Sequence, residues 1–119
     1  MVVMEEKVTV SYDEEFDTLY LNKPSIKSRG SVEIGDFVVE FSDEMQKVVA
    51  IEILNASRVL SGIFGRTVTK EMLKSITSAS FRTIHTPGAI YIAYGIACSV
   101  QNRKETLEST ITVPVAIRA

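Results

Sequence analysis

Along the first half of the chain, apolar side chains fall at every second position in short runs separated by polar turns. Val8, Val10 and Tyr12 share a face against Lys7, Thr9 and Ser11, and Leu19 pairs with Leu21. Val32 goes with Ile34, and Phe37 and Val39 with Phe41. Val49, Ile51 and Ile53 alternate with Ala50, Glu52 and Leu54. A period of two marks strands with one face buried. The breaks carry turn chemistry: the acidic stretch 13–17, whose Asp side chains can accept hydrogen bonds from backbone groups two residues on, then Gly35-Asp36, then 43–46. Connections this short allow only antiparallel neighbours, so these five runs predict an antiparallel β-meander.

After residue 54 the period changes. Ala56, Val59, Leu60, Ile63 and Phe64 recur at helical spacing behind the N-cap candidates Asn55 and Ser57, and Gly65 is placed to end the helix in a left-handed conformation. Thr69 can cap a second helix from Lys70, with Val68 and Leu73 as a hydrophobic staple and Met72, Leu73 and Ile76 facing inward. Ser and Thr over 75–80 weaken that helix, and 81–85 reads equally as its last turn or as a short strand, before Thr86-Pro87-Gly88 turns the chain.

Ala89 to Val100 then alternates strictly. Ile90, Ile92, Tyr94, Ile96, Cys98 and Val100 lie on one face, and Ala89, Tyr91, Ala93, Gly95, Ala97 and Ser99 on the other. The run 107–117 answers it with Leu107, Ile111, Val113, Val115 and Ile117 facing in. These two runs predict a long C-terminal β-hairpin around an exposed loop at 101–104, with Pro114 marking an edge strand. The resulting fold class is α+β: an antiparallel β-meander, one or two short amphipathic helices and the hairpin. A chain of 119 residues is expected to form one domain, 1–119, with the meander and first helix over 7–66 and the second helix and hairpin over 67–119.

Composition narrows the function classes. A formal net charge of -2 without a clustered basic face argues against nucleic acid as a partner. The most apolar run, Ala89 to Val100, is far shorter than the roughly 20 residues a membrane-spanning helix needs. The single cysteine, Cys98, has no internal disulfide partner, and the N-terminus lacks the basic-then-apolar pattern of a secretory signal, so a cytoplasmic location is expected. Few Asn, Gln, Cys and His beside abundant Ile, Val, Glu and Lys lean toward a heat-adapted source.

The stretch 12–57 resembles the domain-of-unknown-function family 2283, whose pattern runs from Tyr-Asp through a Leu-Tyr strand and an acidic-Gly-Asp bend to Gly-Ile-Glu-Ile-Leu-Asp-Ala-Ser. Tyr12, Asp13, Asp17, Leu19, Tyr20, Gly35, Ile51, Glu52, Ile53, Leu54, Ala56 and Ser57 match it. Asn55 stands where that family usually has Asp, and Ala50 where it often has Gly. The resemblance covers 7–66 and stops after Arg66. It implies no established reaction. Some members resemble the smaller partner of two-gene toxin–antitoxin pairs, which implies protein binding.

Candidate chemistry is sparse. His85 is the only histidine and stands beside the Pro87-Gly88 turn with no base-catalysis partner identifiable. Cys98 falls on an apolar strand face, the setting of an inert thiol, and no second Cys or His suggests zinc. Asp13, Asp17, Asp36 and Glu52 form a candidate carboxylate cluster that could share a proton or hold a hard cation, the alternative to ordinary turn capping. No glycine pattern cradles phosphate and no Gly-X-Ser-X-Gly elbow occurs. No cofactor and no resident metal are expected. The reading is therefore a non-enzymatic protein-interaction module, with a small metal-assisted or acid–base enzyme as the alternative. Surplus apolar surface after Arg66 predicts a homo-oligomer, a dimer, whose interface includes Phe81, Tyr91, Ala93, Tyr94 and Gly95, the alternative being a monomer whose hairpin folds back to extend the meander's sheet.

Overall fold

The computed structural model describes residues 7–45 and 47–115; the expectations placed on Gln46 in the third turn and on Ile117 at the chain's end fall outside them. Five short strands, β1 (Thr9–Asp13), β2 (Thr18–Asn22), β3 (Gly30–Ile34), β4 (Phe37–Phe41) and β5 (Val48–Ile53), lead into helix α1 (Ala56–Phe64) and the short helix α2 (Lys70–Lys74). Three long strands come next, β6 (Ile76–His85), β7 (Ala89–Val100) and β8 (Arg103–Pro114). All neighbouring strands are antiparallel, in one sheet of five and one of three. With two short helices beside them, the architecture is α+β.

The five-stranded sheet refines the expected meander. Its order is β1-β2-β5-β4-β3, so two hairpins flank β5, which returns between them. The reason is in β5 itself: Val48, Val49, Ala50, Ile51 and Ile53 are all buried. A central strand has neighbours on both edges, and on the outer side Ala50 is covered by the flanking Asn22 and Glu40. The loop 23–29 crosses to the far edge and is tied at both ends, Lys23 N donating to the Val49 carbonyl at 2.8 Å and Arg29 N to the Phe41 carbonyl at 2.8 Å. The β3–β4 hairpin turns on Gly35-Asp36, where Gly35 holds φ 57°, a conformation that favours glycine.

The three-stranded sheet contains the one element that the sequence left unresolved. Residues 76–85 form β6, which pairs with β7 from Ile76↔Cys98 to His85↔Ile90. The C-terminal unit is therefore three strands, and α2 ends at Lys74 with Ile76 already in the sheet. A register shift between Ile76 and Ser78 inserts one extra residue, so the inward positions Ile76 and Ala79 are three apart and the period-two signal is lost there. The β7–β8 hairpin closes on Gln101-Asn102, both at positive φ, with Val100 opposite Arg103. That is the two-residue primed turn that matches strand twist. The exposed loop expected at 101–104 is thus two residues long, and β8 lies at the sheet edge, as Pro114 suggested.

One apolar cluster joins the two sheets. Leu19, Leu21, Val39, Phe41, Ile51 and Ile53 from the first meet Phe81, Ile92, Tyr94, Ile96, Ile111 and Val113 from the second, with Ala56 and Leu60 of α1 and Leu73 of α2 in the same core. Phe37 and Tyr94 touch across the sheets with ring centroids 6.3 Å apart at 57°, a tilted geometry that aromatic pairs favour. Gly65 ends α1 at φ 61°, and Thr69 caps α2 by accepting from Met72 N at 3.1 Å. Among the described residues no helix is long and apolar enough to cross a membrane.

Candidate functional site

The acidic residues singled out from sequence sit in three places. Asp13 and Asp17 occupy the β1–β2 turn, Asp36 the β3–β4 turn, and Glu52 the outward side of β5 opposite Tyr20 and Val38. Asp13 accepts from Phe16 N, three residues on, at 3.2 Å, a local turn-closing bond. Asp17 does more. Its Oδ2 accepts from the Ser57 hydroxyl at 2.6 Å, both carboxylate oxygens accept from Ser57 N at 3.1 and 3.2 Å, and Oδ1 accepts from the Tyr12 hydroxyl at 2.6 Å. Its own carbonyl accepts from Ala56 N at 2.8 Å.

This network caps α1 from 40 residues away in sequence. The residue in the N-cap position, Asn55, is left-handed at φ 51° and makes no side-chain cap bond. Its amide instead donates to Asp36 Oδ1 at 3.4 Å, while Leu54 N donates to the Asp36 carbonyl at 2.8 Å. Two hairpin turns are thereby fastened to the start of one helix. The helix needs an acceptor for its first free N–H groups, and a carboxylate also suits the positive end of the helix dipole. Burial pushes the Asp17 carboxyl up, but the bonds from Ser57 and Tyr12 and the nearby Lys70 charge outweigh it and hold it below the ordinary carboxylate value. Tyr12 is pushed well up in turn, by burial first and then by the bond to Asp17.

Glu52 belongs to a separate group on the outer side of the five-stranded sheet, where the Tyr20 hydroxyl donates to Glu40 Oε2 at 3.0 Å. Burial, then the Glu40 bond and the charges of Glu40 and Glu52, raise the Tyr20 phenol. Among the described residues no three or more His, Cys, Asp or Glu side chains come together in a metal-holding group. Cys98 is buried, and burial followed by the Glu105 charge pushes its thiol up despite Arg66, away from the thiolate a nucleophile needs. His85 is exposed where β6 ends.

The expected interface residues divide between the two faces of the three-stranded sheet. Phe81 and Tyr94 point into the core at 5% and 3% exposure, so they are internal packing residues and not surface anchors; the strand parity that puts Tyr94 beside Ile92 and Ile96 already implied it. The Tyr94 hydroxyl is buried without a geometrically formed hydrogen bond among the described residues. Burial pushes its phenol up, and the facing Ser109 side chain acts in the opposite direction.

Tyr91, Ala93 and Gly95 lie on the opposite, outer face. There Tyr91 is 36% exposed beside Ile84 at 42%, its cross-strand neighbour. Ser80 and Arg82 on β6 and Glu108 and Thr110 on β8 are exposed on either side of Ala93 and Gly95. An open trough of about 1070 Å³ is lined by Ser80, Arg82, Ala93, Gly95, Glu108 and Thr110 together with Phe81, Tyr94 and Ser109 of the opposite face, with Lys7 and Lys23 on its wall. Lys23 Nζ lies 4.5 Å from the Phe81 ring centroid.

Residues 9–57 match the family model of a protein of unknown function (DUF2283). The matched segment begins with β1 and ends on Ser57, the residue that Asp17 holds, so it contains the whole five-stranded sheet and its fastening to α1. An uncharacterized protein of Methanocaldococcus jannaschii is 42% identical over 55 residues, 46% of this chain and 47% of that relative. The chain thus spans about half the length of the curated relative it matches. No solved structure matches it significantly.

Proposed function

We propose that the chain is a non-enzymatic protein-interaction module that self-associates as a dimer through the outer face of its three-stranded sheet. The observation that carries this reading is the exposed pair Ile84 and Tyr91, cross-strand neighbours on a face whose central strand is lined by Ala93, Gly95 and Ala97. An aromatic anchor beside a flat, small-residue surface suits association, and two-fold pairing is the commonest way to cover such a face. The polar chemistry supports the same side of the choice. Asp17 serves as a helix cap and Asp36 as a turn fastening to Asn55, and Cys98 is a buried thiol whose pKa is raised.

Sedimentation equilibrium at micromolar concentration tests the reading, with a mass of twice 13.2 kDa expected. A mass equal to 13.2 kDa refutes it. Ala93→Glu, which drives a bulky charged side chain into the contact beside Arg82, is expected to return the protein to monomer with its fold intact. The smaller-partner role that the family resemblance implies adds a heteromeric partner to the expectations, and co-purification from the native organism reads it. Robust turnover on a hydrolase panel by a strictly monomeric preparation overturns the non-enzymatic assignment.

A further inference from the structure

We infer that the two copies meet face to face across a two-fold axis, with Arg82 of each protomer paired with the partner's Glu108. This rests on the reading that the outer face joins two copies, and it adds how they are held in register.

Arg82 lies opposite Ala93 on one side of β7, and Glu108 opposite Gly95 on the other. Both side chains are exposed on the same face, diagonally across the Ala93–Gly95 step, and neither is in an ion pair among the described residues. Strands about 4.8 Å apart, with a rise of about 3.4 Å per residue, put the two positions about 9.6 Å apart across the sheet and about 6.8 Å apart along it.

Consider a two-fold axis lying in the interface, passing over that step at right angles to the Arg82–Glu108 line. It exchanges the two positions, so both ion pairs form together and like charges never face each other. Such an axis is inclined about 35° to β7, so the strands of the two sheets cross at about 70°, close to the orthogonal class of sheet packing. The crossing point falls where close approach is easiest, on Ala93 and Gly95. A Cβ on Gly95 would stand only 3.4 Å from Glu108 Cγ, so the Glu108 stem already lies over the glycine, toward the crossing point. The same rotation carries Tyr91 to the level of Thr110, about one strand spacing beyond the partner's β8 edge. One charge of each sign, placed symmetrically about a small-residue centre, is complementary to itself. A second copy satisfies both of these charges at once, which makes it the fitting occupant.

The test is a charge-reversal cycle read by sedimentation equilibrium on the full chain. Arg82→Glu and Glu108→Arg are each expected to weaken dimerisation by roughly tenfold or more, and the double variant to restore it to within about threefold of the parent. Thermal melts by circular dichroism check folding. Should a reversal fail to fold, Arg82→Ala, Glu108→Ala and their combination supply the same cycle, with non-additive losses expected. A monomeric parent protein removes the self-association reading and this inference together. A dimeric parent whose mass is unmoved by either reversal overturns the inference alone, as does dissociation by both reversals without rescue in the double variant.

Discussion

The five-stranded sheet is made of strands of five or six residues, and its turns are fastened by particular side chains: Asp17 to Ser57 and Tyr12, Asp36 to Asn55. The three-stranded sheet has strands of ten to twelve residues, joined by a three-residue and a two-residue connection and held by long continuous ladders. In the first, a few groups at the strand ends carry the specificity of the fold, so the residue types that supply them are narrowly constrained. In the second, stability is spread along the strands, and many Ser, Thr and Ala choices would serve. The difference explains why one half carries a recognisable residue pattern while the other reads only as alternation.

The contrast meets its hardest test in the shared core. Ile51 and Ile92 are both fully buried, one in each sheet, within a single cluster. Ile51→Ala and Ile92→Ala are each expected to cost about 3 kcal/mol and to shift one common unfolding transition in urea, followed by far-UV circular dichroism and tyrosine fluorescence. Two transitions, with Ile92→Ala moving only one, would separate the halves into independent units and break the single-domain expectation for 1–119.

Next in size is the fastening. Asp17→Ala removes the cap of α1 and leaves the Tyr12 hydroxyl and Ser57 N–H without their acceptor, a loss of about 2 kcal/mol. Ser57→Ala should cost less, since its N–H remains, and the double variant should be no worse than Asp17→Ala by more than a few tenths of a kcal/mol; simple additivity would deny the coupling. The same carboxylate sets an acid dependence. Because its folded pKa lies below the unfolded value, its contribution is fully present above the ordinary carboxylate range and is lost as pH falls through the depressed value. Chemical denaturation between about pH 5 and pH 2 should show a decline that is shallower in Asp17→Asn.

The smallest expected effect lies on the other side. Tyr94→Phe deletes a buried hydroxyl that has no hydrogen-bond partner among the described residues and should raise stability by about 1 kcal/mol, read as a higher urea midpoint. A loss of that size would mean that the hydroxyl is satisfied after all.

Sequence reasoning reached the strands, the end of α1 and the start of α2 because each is announced locally: alternation in β1 to β5 and β7, Gly65 past α1, Thr69 before α2. It left β6 unresolved because a bulge breaks the period where Ser and Thr already blur it, and the strand exists through its pairing with β7 and not through its own preference. It gathered Asp13, Asp17, Asp36 and Glu52 as one cluster because spacing does not encode which turns come together. The role of Asp17 depends on a contact spanning 40 residues. The signal available was that Asp17 and Ser57 both belong to the family-like pattern, one in its first turn and the other at its end.

That contact also bears on how such a chain can be lengthened or re-equipped. A segment whose last residue closes back on its first turn has its ends settled before the next element begins. The chain beyond Ser57 must continue one helix and lay an apolar cover on the exposed side of the sheet, and nothing else about it is prescribed. Quite different continuations can be grafted at that joint while the preceding strands keep their register, making the first half a reusable mount and the second half the part free to diverge.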